Sequence, residues 1–204
     1  MDAKNYEIKN VNRKQCEEFL RTRHYLSLQG CSFRSGRNYA LMLDDEMIGL
    51  AIFHGVSAGE TIKGAFGLEK NEQSGFYELG RLAMDADHNV PNLTSWFAAQ
   101  CMKRLRKETN VRAIISYADS AYHHGGIYQA LNFKYYGLTT KKKDFWVEQE
   151  DGTYVKLQRG KTVGLKGEWR DRTQKHRYMI VYDKTLTVKW KELPYPKPST
   201  STTP

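Results

Sequence analysis

The stretch from Phe76 to Thr139 constrains this chain more than any other. It opens as FYELGRLAM, crosses a loop, continues as LTSWFAAQCMKRLRKE and VRAIISYAD, and closes as SAYHHGGIYQALNFKYYGLT. FYELGRLAM alternates apolar or aromatic positions for part of its length, which is the period of a strand. In LTSWFAAQCMKRLRKE, Leu93, Trp96, Phe97, Gln100, Cys101 and Leu105 recur at steps of three and four and share one helical face. Lys103, Arg104, Arg106 and Lys107 crowd its last turns, where the helix dipole favours cations. VRAIISYA is a short β-branched run suited to a buried strand. IYQALNF predicts a short helix and KYYGLT the strand after it. Strand, helix, strand, helix, strand in this order predicts right-handed crossovers within one sheet.

Around this centre the chain divides into readable pieces. Residues 12–23 place Cys16, Phe19 and Leu20 on one helical face. Tyr39–Leu43 and Met47–His54 predict a hairpin about Asp44-Asp45-Glu46. Residues 57–75 are polar and glycine-rich without periodicity, predicting a mobile loop beside a cleft. After Thr139, two alternating runs flank Glu150-Asp151-Gly152 as a second hairpin. A basic loop follows, then KHRYMIVYD and TLTVKWKEL as further strands. The tail is rich in proline, serine and threonine and reads as disordered. The expectation is a catalytic domain over 1–140, a basic β-rich extension packed on it over 141–192, and a disordered tail over 193–204.

Charge sharpens this division. Residues 1–133 carry 16 Lys/Arg against 15 Asp/Glu, whereas residues 134–204 carry 16 against 8. A cationic excess confined to the last third attracts polyanions, of which nucleic acid is the commonest; the alternative is a solvated basic surface. No apolar run approaches the roughly 18 residues of a membrane helix, and the N-terminus has no basic and apolar leader. Cys16, Cys31 and Cys101 are odd in number and widely spaced, which suggests neither a disulfide framework nor a cysteine zinc site. A reducing cytoplasm, with no membrane partner, is the simplest location.

Several side chains could carry chemistry. His24-Tyr25 offers a base or metal ligand beside a hydroxyl, or a purely structural pair. Glu78 and Arg81 lie three apart on a strand, so regular alternation points them to opposite faces. The arginine could hold a phosphate or carboxylate, or the two could form an ion pair within the sheet. Asp119 ends the VRAIISYA strand, where ligands gather in open α/β sheets. Its carboxylate could take a proton from an amine or help bind a metal; the alternative is a cap on the next helix. Ser116 and Tyr117 precede it and Ser120 follows. Tyr128 is a hydroxyl acid or a core ring. His123-His124 could ligate metal with His24, although adjacent ligands diverge. Lys141, Lys142, Lys143, Lys175, His176, Arg177 and Tyr178 suit phosphate contacts and base stacking. The alternative for KHRY is an edge strand guarded by its lysine.

The element order resembles the core of GNAT acyltransferases, and Tyr128-Gln129-Ala130-Leu131-Asn132-Phe133 is similar to their closing YxxLGF segment. ELGRL, SYAD, IYQALNF and YGLT, with RHY before them and KHRY after, together resemble the Mom-type DNA modification proteins of bacteriophages over Arg23–Tyr178. The resemblance implies an α/β (α+β) fold, a GNAT-like mixed sheet flanked by helices. It also implies modification of adenine N6 in double-stranded DNA to a carbamoylmethyl form, which protects phage DNA from restriction in the host cell cytoplasm. By the same resemblance His24 and Tyr25 line the adenine or metal site, Arg81 with Glu78 and Ser116 serves donor or substrate binding, and Tyr128 is the acid. A small-molecule or carrier-bound donor is implied, with acetyl-coenzyme A or another activated donor, and iron, as the cofactors to consider. The chain departs from GNAT enzymes at Asp85–Asn92, which is acidic and without glycine where they cradle pyrophosphate. Two other readings stand beside this one: an N-acyltransferase acting on a protein or small amine, and a non-catalytic DNA-binding module on the same scaffold.

Overall fold

The computed structural model describes residues 5–23, 33–88, 90–157, 162 and 164–197. Strand β1 (Tyr6–Asn10), helix α1 (Arg13–Arg23), strands β2 (Arg37–Leu43) and β3 (Glu46–Gly55) and helix α2 (Gly59–Phe66) come first. The central unit follows: β4 (Phe76–Met84), α3 (Leu93–Glu108), β5 (Ala113–Asp119), α4 (Gly126–Ala130) and β6 (Lys134–Leu138). Then come β7 (Lys142–Glu148), β8 (Tyr154–Lys156), β9 (Glu168–Arg172) and β10 (Lys175–Val181). Seven strands form one mixed sheet in the order β1-β2-β3-β4-β5-β10-β6, and β8-β7-β9 form a small second sheet. The class is the mixed α+β sheet flanked by helices that the sequence predicts. Among the described residues no helix is long and apolar enough to cross a membrane.

The sheet buries both faces. On one, α3 contributes Leu93, Phe97, Cys101 and Leu105 to a cluster with Tyr39, Phe53, Tyr128, Phe133 and Tyr178. On the other, α2 adds Ile62, Ala65 and Phe66 to Phe76, Ile115 and Met179, while α1 adds Cys16, Phe19 and Leu20 to Leu50, Ile52 and Ala83. Each such side chain taken fully from water stabilises the fold by roughly 1.5–3 kcal/mol before the entropy of ordering it. The 57–75 stretch is therefore not wholly a loop. Ile62, Ala65 and Phe66 give α2 an apolar face that the glycines around it obscure in the sequence.

The last third differs most from expectation. Residues 141–192 are not an extension laid on a finished domain, because β10 lies inside the main sheet, antiparallel to both β5 and β6. The basic loop before it contains a strand, β9, paired with β7 through Lys142↔Arg172, Asp144↔Arg170 and Phe145↔Trp169. TLTVKWKEL is not a strand. Its alternation is real, since Leu186, Val188 and Trp190 pack on the α2-side cluster, but it crosses that face as a strap rather than pairing at an edge. Residues 193–197 are held as well: Leu193 bridges Tyr135, and the Tyr195 hydroxyl donates to the Phe133 carbonyl at 2.5 Å. The remainder of the predicted tail lies outside the described residues.

This placement reassigns KHRY. Tyr178 has no exposed surface, and the Tyr135 hydroxyl is 2.9 Å from His176 Nδ1. The Arg177 guanidinium donates to the Tyr136 carbonyl at 2.9 Å and lies 4.3 Å over the Trp190 ring. Arg177 ties the strap to the sheet, while Tyr178 and the Tyr135 beside His176 pack in the α3-side cluster, and β10 is not an edge strand. Arg177→Ala is expected to cost about 2 kcal/mol, from a charge-assisted hydrogen bond and a half-buried cation–π contact. Urea unfolding measures this, and duplex affinity of the folded variant should stay within twofold of the parent.

Candidate active site

Strands β4 and β5 are parallel and paired only from Phe76↔Ala113 to Leu79↔Ser116. Past that point β4 continues against β3 to Met84, and β5 continues against β10 to Asp119, so the two diverge. Ser116 sits at the apex. Its buried hydroxyl donates to the Leu79 carbonyl at 2.8 Å, and with its one proton spent there its oxygen accepts from the Tyr128 hydroxyl, also at 2.8 Å. The Tyr128 ring is stacked on Tyr178 at 4.8 Å. Tyr128 is thus both a core ring and a hydroxyl delivered to the gap. Gly125, in the left-handed region at φ +83°, permits this: a Cβ there would lie 2.7 Å from Tyr178 and 2.9 Å from Tyr128.

A bulge changes the reading of Glu78 and Arg81. Phe53 pairs with Leu79 and Ile52 with Arg81, leaving Gly80 as the extra residue on β4. One inserted residue reverses the alternation, so Glu78 and Arg81 share a face and line one depression rather than pointing apart. A Cβ at Gly80 would fall 2.2 Å from His54 Nε2, so the imidazole would have to move to admit one. His54 is a residue the sequence did not single out. Its Nδ1 lies 2.8 Å from the Gly55 carbonyl, which can only accept, so Nδ1 carries a proton and Nε2 is turned to the bulge. The signal available was its position at the end of the first hairpin; its pairing with Glu78 belongs to the β3–β4 ladder.

The gap opens into two adjoining cavities. The larger, about 600 Å³, has Gly80, Arg81, Tyr117, Asp119 and Tyr128 on one side. The small sheet closes the other side with Asp144, Trp146, Arg170 and Arg172. The Arg170 guanidinium lies 3.9 Å over Tyr154 and 5.3 Å over Trp146, giving a flat cationic and aromatic wall. The smaller cavity, about 250 Å³, is bordered by Ser57, Thr61, Glu78, Thr139, Lys142 and Lys175. Both are bordered by Tyr117, Arg172, Thr173 and Lys175.

Asp119 is oriented rather than loose. One carboxylate oxygen accepts from the Ala121 N–H at 3.1 Å and the other from the Thr173 hydroxyl at 3.0 Å. It caps the turn after β5, not α4, whose N-cap is Gly125. Opposite it in the ladder stands Lys175, which borders the cleft instead of an outer DNA-facing edge. Burial, and then Arg172, push the Lys175 ammonium below the usual lysine range. Burial likewise lowers His123, with Asp119 opposing, and raises the Tyr117 phenol. Lys141, Lys142 and Lys143 are exposed at the start of the small sheet. His24 and Tyr25 lie outside the described residues.

In the β4–α3 loop the Asp87 N–H is spent on Asp85 Oδ1 at 3.2 Å, and the His88 N–H on the Asp85 carbonyl at 3.1 Å. Asp85 itself is buried and paired with Arg23. These residues do not form a pyrophosphate cradle, because both amides are already spent on Asp85, one on its carboxylate and one on its carbonyl. Among the described residues no three or more His, Cys, Asp or Glu side chains converge as a metal-ligand set.

The sequence matches the Mom protein family over residues 5–197. The chain belongs to that family. No curated protein gives a significant match. Among solved structures, the ribosomal-protein-S18-alanine N-acetyltransferase from Escherichia coli aligns with TM-score 0.50 at 12% identity, over 86% of this chain and 93% of that one. The IAA acetyltransferase from Bacillus cereus ATCC 14579 aligns with TM-score 0.51 at 10% identity, over 87% and 99%. An N-acetyltransferase from Staphylococcus aureus Mu50 aligns with TM-score 0.50 at 10% identity, over 87% and 98%. At such identities the likeness is one of fold, and it is the GNAT-like fold that the strand–helix order predicts.

A lysine whose folded-state pKa is depressed destabilises the fold below that pKa, and the penalty disappears as pH rises through the unfolded value near 10.5. The Mom-family chain should therefore gain stability on approaching that pH. Lys175→Met is expected to raise the melting temperature at neutral pH and to remove that part of the alkaline gain. Thermal melts across neutral to alkaline pH check both.

Proposed function

We propose that this Mom-family protein modifies DNA, transferring a group to the exocyclic N6 of an adenine extruded from the duplex, with the carbamoylmethyl base as product and protection of phage DNA from restriction as its purpose. The observation that carries the reading is the facing of Asp119 and Tyr128 into one cavity of about 600 Å³ whose opposite wall is Trp146 and Arg170. A nucleobase needs a flat, stacking wall and groups for its edge, and chemistry on a paired base requires extrusion. Family membership and the acyltransferase-like fold support transfer chemistry, and the exposed Lys141, Lys142 and Lys143 supply cations for the flanking phosphates.

The residues suggest a sequence of events. Adenine N6 is a poor nucleophile because its lone pair is delocalised into the ring. Asp119, oriented by Ala121 and Thr173, accepts the N6 proton as N6 bonds to the electrophilic carbon of the donor. The Tyr128 hydroxyl turns its one proton from Ser116 onto the departing group. Arg81, on the same face as Glu78 because of the Gly80 bulge, fixes the charge of the bound reactants.

Nucleoside mass spectrometry on plasmid DNA from expressing cells tests this. A deoxyadenosine with added carbamoylmethyl mass is expected, falling about 10²–10⁴-fold in Asp119→Asn, the span of a general base. Unmodified DNA from folded protein in a donor-competent host would contradict the reading and favour an N-acyltransferase on another amine.

A further inference from the structure

Lys175 is a cation in an unusual position. It begins an interior strand, is half-buried, and its backbone N–H is taken by the Thr139 hydroxyl at 2.9 Å. Among the described residues no acceptor lies within hydrogen-bonding or ion-pair distance of its ammonium. Arg172 and Lys142 border the same small cavity, Glu78 is the one carboxylate there, and Asp119 stands opposite in the ladder. Arg172 is itself only loosely paired, 4.0 Å from Asp144, which Lys156 approaches more closely at 3.1 Å. Desolvating an ammonium beside two like charges is costly unless an anion completes the site.

The rest of the wall suits an oxyanion. Ser57, Thr61 and Thr139 border the cavity with hydroxyl-bearing side chains, Thr173 spends its proton on Asp119, and the volume of about 250 Å³ admits a carboxylate or phosphate group but leaves little room for a base as well. It adjoins the larger cavity through Lys175, Arg172 and Tyr117. We propose that the smaller cavity is an oxyanion subsite, in which Lys175, Arg172 and Lys142 hold the carboxylate or phosphate of a reactant beside the target base. Two sources share this chemistry: the acid group of a small donor, and a phosphodiester next to the extruded nucleotide. The assignment of the anion to a reactant rests on the function proposed above, whereas the binding itself does not.

The test uses the full chain without turnover. Melting temperature is measured in millimolar inorganic phosphate or acetate against sodium chloride of equal ionic strength, for the parent, Lys175→Met, Lys175→Arg and Arg172→Gln. Duplex affinity is measured in parallel against salt concentration. A rise with phosphate or acetate that is lost in Lys175→Met, kept in Lys175→Arg and unaccompanied by weaker duplex binding supports a donor acid group. No rise with either anion, but duplex binding at least tenfold weaker in Lys175→Met with a salt slope smaller by about 0.9, supports a phosphodiester. An anion response that survives in both Lys175→Met and Arg172→Gln, or no response in either assay, overturns the subsite. Should Lys175→Met fail to fold, Arg172→Gln carries the same comparison. These readouts stand apart from base modification, so unmodified DNA would leave the subsite result intact.

Discussion

The hydrogen bond from Ser116 to the Leu79 carbonyl marks the last point at which β4 and β5 are joined, and the cleft exists because their ladder stops there. A sheet opened in its middle would expose unpaired backbone to solvent on both sides of the gap. Here each strand keeps its other neighbour, β3 for β4 and β10 for β5, so the divergence costs only the contacts between them. The same hydroxyl positions Tyr128. One buried serine thus satisfies a carbonyl that the gap would strand and sets the hydroxyl that the chemistry needs.

Much of this was legible in the sequence. The helical face of α3, the β-branched run of β5 and the hairpin around Asp44-Asp45 follow from periodicity that local packing obeys. Asp119 at a strand end was readable for the same reason. What escaped was set by long-range pairing. No local signal says that β10 inserts between β5 and β6, yet that insertion turns Tyr178 from a surface aromatic into core and brings Lys175 opposite Asp119. The bulge at Gly80 was also hidden, because a glycine in a strand marks a bulge or a close approach without saying which, and the parity of Glu78 and Arg81 hangs on that choice.

Charge is distributed to different ends in the two parts of the last third. Arg177 is consumed by Trp190 and a carbonyl, so it contributes to stability. Lys141, Lys142, Lys143 and Arg170 are carried on the small sheet, which stands over the cleft and can meet a polyanion without unfolding anything beneath it. Lys175 lies between these roles, destabilising the empty fold in return for a positive wall inside the site. Such local conflict between stability and position is typical of functional sites.

The central claim is that the larger cavity receives a base drawn out of a duplex. The most direct measurement is the equilibrium affinity for two duplexes that differ only in whether an adenine faces thymine or an abasic site. Extrusion costs a few kcal/mol less when no partner is left behind, and each 1.4 kcal/mol is a tenfold change in affinity. The account predicts at least tenfold tighter binding to the abasic duplex, with the difference reduced when Trp146 and Tyr128 are replaced by alanine. Equal affinities for the two duplexes would contradict it.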